Sequence, residues 1–133
     1  MRRNDEIQAA LVAKAKANLS ITAEIPSTEI REVSWQGTEF SYPNLRIRIL
    51  SNTPISKNCN AQEINTSWLV YSENDSSQEA NRIAGIISQE FHDRQFTSNG
   101  IAFSLIVTNV IPAIRSDIRT WRSEVIMRGL TSG

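Results

Sequence analysis

The run Leu45-Arg46-Ile47-Arg48-Ile49 alternates apolar and charged side chains at period two. Successive side chains of a β-strand point to opposite faces, so Leu45, Ile47 and Ile49 share one face, while Arg46 and Arg48 share the other. A strand of this kind has one buried face and one face left to water or to a partner, the usual condition of an antiparallel sheet. The same periodicity marks Glu63–Ser72, where Ile64, Thr66, Trp68 and Val70 alternate with Asn65, Ser67, Leu69 and Tyr71. Both faces of that segment are loaded, which predicts a central strand. A weaker alternation over Thr28–Trp35, with a slip between Ile30 and Val33, predicts a first strand carrying a bulge. Further along, Ile101–Val107 and Ile118–Met127 read as two more strands, the last placing Trp121, Ser123, Val125 and Met127 opposite Thr120, Arg122, Glu124 and Ile126.

Two segments change period. Ile7, Leu11, Ala15 and Leu19 repeat every four residues behind Asn4, Asp5 and Glu6, which predicts an amphipathic helix over 4–19 with its acidic first turn matched to the helix dipole. Ala80, Ile83, Ala84, Ile87 and Phe91 do the same over Ser76–His92, and Ser76 with Glu79 has the spacing of a capping box. Gly85 inside this helix suggests a close approach to the sheet. Asn52–Gln62 reads as a long loop, Pro112 as a strand terminator, and residues 1–4 and 129–133 as flexible ends. Together these predict one α+β domain over residues 1–133, an antiparallel sheet of four to five strands with two helices packed on one face.

Composition narrows the function. The chain has 133 residues, 14 Lys+Arg against 14 Asp+Glu, one histidine and one cysteine. Zero net charge argues against a dedicated nucleic-acid binder, which needs a basic excess to displace counterions from phosphates. Cys59 has no cysteine to pair with, and His92 has no second His or Cys at metal-ligand spacing. Absence of a long apolar run predicts a soluble chain with no membrane partner. Ser76 and Ser77 lack the glycine-flanked elbow of a nucleophile, and Glu73, Asp75 and Glu79 lack a calcium-loop pattern. The expectation is a protein that is not an enzyme and uses no cofactor or metal.

What remains is an arginine bias. Of the 14 basic residues, 11 are Arg, and arginine forks and aromatic rings are favoured at protein interfaces. Trp35, Arg46, Arg48, Arg119, Trp121 and Arg122 are therefore the candidate subunit or partner contacts. Charge also separates along the chain, with an acidic Glu29–Glu39 and a basic Arg115–Arg128. Opposite patches on one neutral molecule suit head-to-tail self-association.

Tyr42-Pro43-Asn44-Leu45-Arg46-Ile47-Arg48-Ile49, the strand ending Val70-Tyr71-Ser72, the Asp75-Ser76-Ser77 opening of the Ala80/Ile83/Ile87 helix, and Trp121-Arg122-Ser123-Glu124-Val125 together resemble the tail terminator (tail completion) proteins of tailed bacteriophages. The resemblance runs over roughly residues 5–128. It implies a virion protein, assembled in the host cytoplasm, that forms a hexameric ring on the head-proximal end of the tail tube. There it ends tube growth and meets the head-tail connector or stopper protein. Its partners would be further copies of itself, the tail tube protein, the connector and, in a contractile tail, the sheath, with DNA passing through the bore without sequence-specific binding. The resemblance places subunit contacts around Arg46 and Arg48, the Asn52–Gln62 loop, and Trp121 and Arg122. Related neck or head-tail adaptor proteins share this design. A cellular protein-binding adaptor module is the alternative from another class, and a small hydrolase resting on His92 is a weaker one.

Overall fold

In the computed structural model, residues 3–33, 41–55, 61–73, 76–116 and 119–132 are described. Helix α1 (Asn4–Ala17) and the short α2 (Leu19–Thr22) lead through a 3-10 turn at Ser27–Glu29 into strand β1 (Ile30–Glu32). Strands β2 (Asn44–Pro54) and β3 (Gln62–Ser72), helix α3 (Gln78–Phe91), and strands β4 (Arg94–Ser98), β5 (Ile101–Arg115) and β6 (Trp121–Ser132) complete the chain. The strands form a six-stranded sheet in the order β1-β2-β3-β6-β5-β4. Every neighbouring pair is antiparallel except β1 with β2, which is parallel.

The α+β reading therefore stands, with corrections. Among the described residues the sheet is mixed and has six strands, and three α-helices accompany it. β4 escaped the sequence reading because Arg94–Ser98 is an exposed edge segment with no deep alternation, entered directly from α3 through Asp93 at φ 54°. Pro112 does not end β5. It sits within the register shift between Ile111 and Ile114, where a missing N–H removes no ladder bond, and the strand continues to Arg115. Gly129–Ser132 belong to β6 instead of forming a loose tail.

One helix-covered face carries the core. Registers Leu45↔Val70, Ile47↔Trp68 and Ile49↔Thr66 continue across β6 as Val70↔Ser123, Trp68↔Val125 and Thr66↔Met127. Against them pack Ile7, Ala10, Leu11 and Ala15 of α1 and Ile83, Ala84, Ile87 and Phe91 of α3, in a single cluster. Trp68 is its centre: fully buried, 4.7 Å from the Phe91 ring, with its indole N–H donating to Thr66 Oγ1 at 3.0 Å. Helix α1 touches β1 and β2 at one edge of the sheet and β4 at the other, so the sheet curls around it. Ser98 Oγ donates to the Ala10 carbonyl at 2.7 Å and Gln8 Nε2 to the Ile47 carbonyl at 2.6 Å, tying helix to strands at both sides of the curl.

Helix ends depart from the sequence reading. α1 stops at Ala17 because Asn18 turns extended and its side chain accepts from the Ile21 N–H, starting α2. Leu19, the last member of the expected apolar stripe, is thereby rotated out of the core and is 84% exposed. The capping box at Ser76 does not form. Ser77 is the N-cap, and Glu79 instead accepts from Ser72 Oγ at 2.7 Å, fixing the end of β3 to α3. A Cβ on Gly85 would meet nothing within 4 Å, so no close approach explains that glycine.

Candidate functional site

The second face of the sheet has no helix on it among the described residues, and its composition is divided. On β1 and β2 it presents Arg31, Arg46 and Arg48; on β5 and β6 it presents Ile106, Ile111, Ile114, Ile126 and Leu130, with Arg122, Glu124 and Arg128 between them. The registers Arg46↔Leu69↔Glu124↔Ile111 and Arg48↔Ser67↔Ile126↔Asn109 run across it, basic at one side and aliphatic at the other. Ser67 Oγ donates to Glu124, so the carboxylate at the centre of the face is held in place by a neutral donor.

Arg46 is the most constrained of the candidate residues. Its Nη1 donates to the Glu29 carbonyl at 2.7 Å, and its Nη2 lies 3.8 Å from Glu29 Oε1. Arg31 Nη2 approaches the other carboxylate oxygen at 3.6 Å. Among the described residues Glu29 Oε1 has no hydrogen-bond partner, so charge rather than a formed hydrogen bond holds that contact. Burial, and then the neighbouring Arg31 charge, lower the Arg46 pKa below the ordinary guanidinium value, with Glu29 opposing them. Arg46 is thus a structural clamp between β2 and the turn before β1, with little surface to offer a partner.

The remaining candidates separate. Arg48 is exposed and Arg122 half-buried, both on the uncovered face. Trp121 belongs to the helix side, where it pairs with Ser72 and lies under the Arg115 guanidinium, 4.9 Å from its ring centre. Arg119 sits in the β5–β6 connection and not on a strand. Trp35 and residues 56–60 of the expected contact loop lie outside the described residues; that loop is shorter than read, since β2 runs to Pro54 and β3 begins at Gln62.

Sequence reading missed the aliphatic half of this face. Ile106 is 46%, Ile114 50% and Leu130 51% exposed. A signal existed, because Val110, Ile111 and Ile114 continue the apolar content of the strand past Thr108-Asn109, but two register shifts break their periodicity. Each shift frees a backbone N–H, and α3 supplies the acceptor. His92 Nδ1 accepts from Val107 N–H at 3.1 Å and Asn81 Oδ1 from Ala113 N–H at 2.8 Å. The lone histidine thereby locks a bulge.

Near Leu130 the sheet is dimpled, the larger hollow reaching past the uncovered face to Phe96, Phe103 and Thr131. A hollow of about 510 Å³ is bordered by Ile55, Ala61, Ala102 and Leu130, and an adjoining one of about 280 Å³ by Glu63, Ile106, Arg128 and Leu130. Among the described residues no group of three or more His, Cys, Asp or Glu could hold a metal ion, and no helix is long and apolar enough to cross a membrane.

No family model and no curated protein matches the chain. Solved structures do. One is described as a virion of a native gene transfer agent (GTA) particle; its chain matches over 96% of this chain and 95% of its own, with a TM-score of 0.74 at 14% identity. A second, for which no role is stated, matches over 100% of this chain and 98% of its own, with a TM-score of 0.61 at 18% identity. At such identities the likeness is one of fold, and it extends over essentially the full length of each chain.

Proposed function

We propose that this chain is a structural virion protein that assembles as a ring at the head-proximal end of a phage tail tube, ends tube polymerisation and joins the tail to the head connector. The observation that carries the reading is the full-length likeness to a chain of a phage-like particle, a GTA virion, at a TM-score of 0.74. The order of motifs that resembles tail terminators agrees with it, and so does the uncovered sheet face, where large aliphatic side chains stand beside arginines in the manner of an interface. In this reading the protein does its work by recognition and geometry and catalyses nothing. Its partners are further copies, the tail tube protein and the connector, and it resides in the neck of the virion.

Negative-stain microscopy of the purified protein tests this. Rings with a central hole, or the same ring at the neck of virions labelled with an antibody to this chain, are the expected result. Absence of rings from free protein together with absence of label from virions would refute it. Alanine at His92 separates out the hydrolase alternative, because full tail assembly with His92→Ala leaves no role for that imidazole in catalysis.

A further inference from the structure

Strand β5 outruns its edge partner. The β4 ladder ends at Arg94↔Leu105, and from Ile106 to Arg115 no strand lies on that side of β5 among the described residues. Two side chains stand in for the missing strand: Asn81 Oδ1 accepts from the Ala113 N–H, and His92 Nδ1 accepts from the Val107 N–H. The two are chemically unequal. An amide oxygen accepts at any ordinary pH, whereas an imidazole nitrogen accepts only while it carries no proton. A backbone N–H can only donate, so the Val107 contact requires His92 to be neutral, with its proton on Nε2.

The surroundings decide what happens when Nδ1 gains a proton. The His92 backbone is pinned from both sides: its N–H donates to the Ser88 carbonyl at 2.9 Å, closing α3, and Asp93 at φ 54° turns the chain straight into β4. Val107 packs at the border of the core, and Thr108, inside the register shift, donates from Oγ1 to the Ile126 carbonyl at 3.1 Å. Two N–H groups facing one another repel, so the imidazolium must swing away or the strand must lift. Either motion takes the acceptor from the Val107 N–H. Charged groups on the adjoining residues are Glu90 and Asp93, which favour the imidazolium, and Arg94, which opposes it; Glu79 and Arg82 lie turns away along α3. On the elements packed against α3, neither α2 nor β5 from Ile101 to Ile114 has a titratable side chain, and Glu63, Tyr71, Arg122, Glu124 and Arg128 of β3 and β6 register on the bare face.

We propose that His92 is a proton-operated latch on the β5–β6 hairpin. Neutral, it braces the part of β5 beyond β4 at the first of two points; protonated, it lets go there, and Asn81 keeps the second. Because the bond needs the neutral ring, its contribution is present above the pH range in which histidines titrate and is lost as the pH falls through it. Val110, Ile111 and Ile114 ride on the braced segment, so the latch sets how rigidly the aliphatic half of the bare face is presented. The latch belongs to the isolated chain and stands or falls independently of ring assembly.

Amide hydrogen exchange on the full chain, followed by NMR at about pH 8 and about pH 5 and corrected for the intrinsic rate at each pH, tests it. Protection at Val107 is expected to fall roughly tenfold from the higher to the lower pH, while that at Ala113 and Trp68 changes less than about twofold. His92→Asn puts an amide oxygen where Nδ1 was and cannot take the proton, so it should keep Val107 protected at both pH values. His92→Ala should lose that protection at both. Equal Val107 protection at the two pH values in the unsubstituted chain overturns the latch, and so does a pH dependence that survives in His92→Asn. If His92→Asn fails to fold, the unsubstituted chain still decides: the Val107 amide proton shift must titrate with the same midpoint as the His92 ring protons, and a different midpoint overturns the proposal.

Discussion

The two faces of the sheet are built from the same strands and have opposite fates. On the helix-covered face every large side chain from Leu45 through Trp68 to Val125 is sealed by α1 and α3. On the other face, one residue away along each strand, Arg48, Ile106, Ile114 and Leu130 stand without cover. Burying an aliphatic side chain is worth roughly 1.5–3 kcal/mol, so the covered face accounts for the fold. The bare one holds stabilisation that this chain alone leaves unused. The face the fold does not need is the one open to a partner in the proposed assembly.

Substitutions should divide along that line. Trp68→Ala removes the centre of the covered face and its contact with Phe91, and is expected to cost about 3–5 kcal/mol in urea unfolding. A loss under about 1 kcal/mol would mean the core is organised elsewhere. Glu29→Gln strips the counter-charge from the clamped Arg46 and from Arg31, and should cost about 3 kcal/mol by the same measurement. It is the one large penalty expected from residues that reach toward the bare side. Gly129→Ala should lose about 1–3 kcal/mol, because a Cβ there overlaps the Ser104 carbonyl oxygen and Leu105 Cδ2. His92→Ala leaves the Val107 N–H without its acceptor and should cost about 1 kcal/mol, with faster hydrogen exchange at Val107 as the local readout. Ile114→Ser, on the bare face, should change the stability of the isolated chain by less than about 0.5 kcal/mol. A loss as large as that at Trp68 would erase the distinction between the faces.

Much of the covered face could be read in advance. Period two over Leu45–Ile49 put the correct residues inward, and over Glu63–Ser72 it sorted the residues into the two faces of a central strand, because a buried face imposes register on every strand that contributes to it. Features set by tertiary context were hidden. Edge strand β4 has too little burial to imprint a pattern, and β5 crosses two register shifts whose freed N–H groups are satisfied by side chains of α3. Leu19 kept the spacing of the first helix and still left its stripe, since the side chain of Asn18 competes for the backbone at that point. The candidate site was legible as arginines but not as isoleucines. Arg48 and Arg122 are on the bare face as their strand positions imply, Arg46 is consumed by Glu29, and Trp121 faces the helix layer.

The two bulges of β5 have a mechanical consequence. Asn81 lies in the first turns of α3 and His92 at its C-cap, and each grips the β5 backbone at one of the two places where the ladder slips. The helix therefore acts as a splint along the long β5–β6 hairpin. A load applied at the hairpin tip near Ile114 is carried into both ends of α3 rather than absorbed as bending of a free ribbon. That bracing lets the hairpin bear force without letting its strands slide.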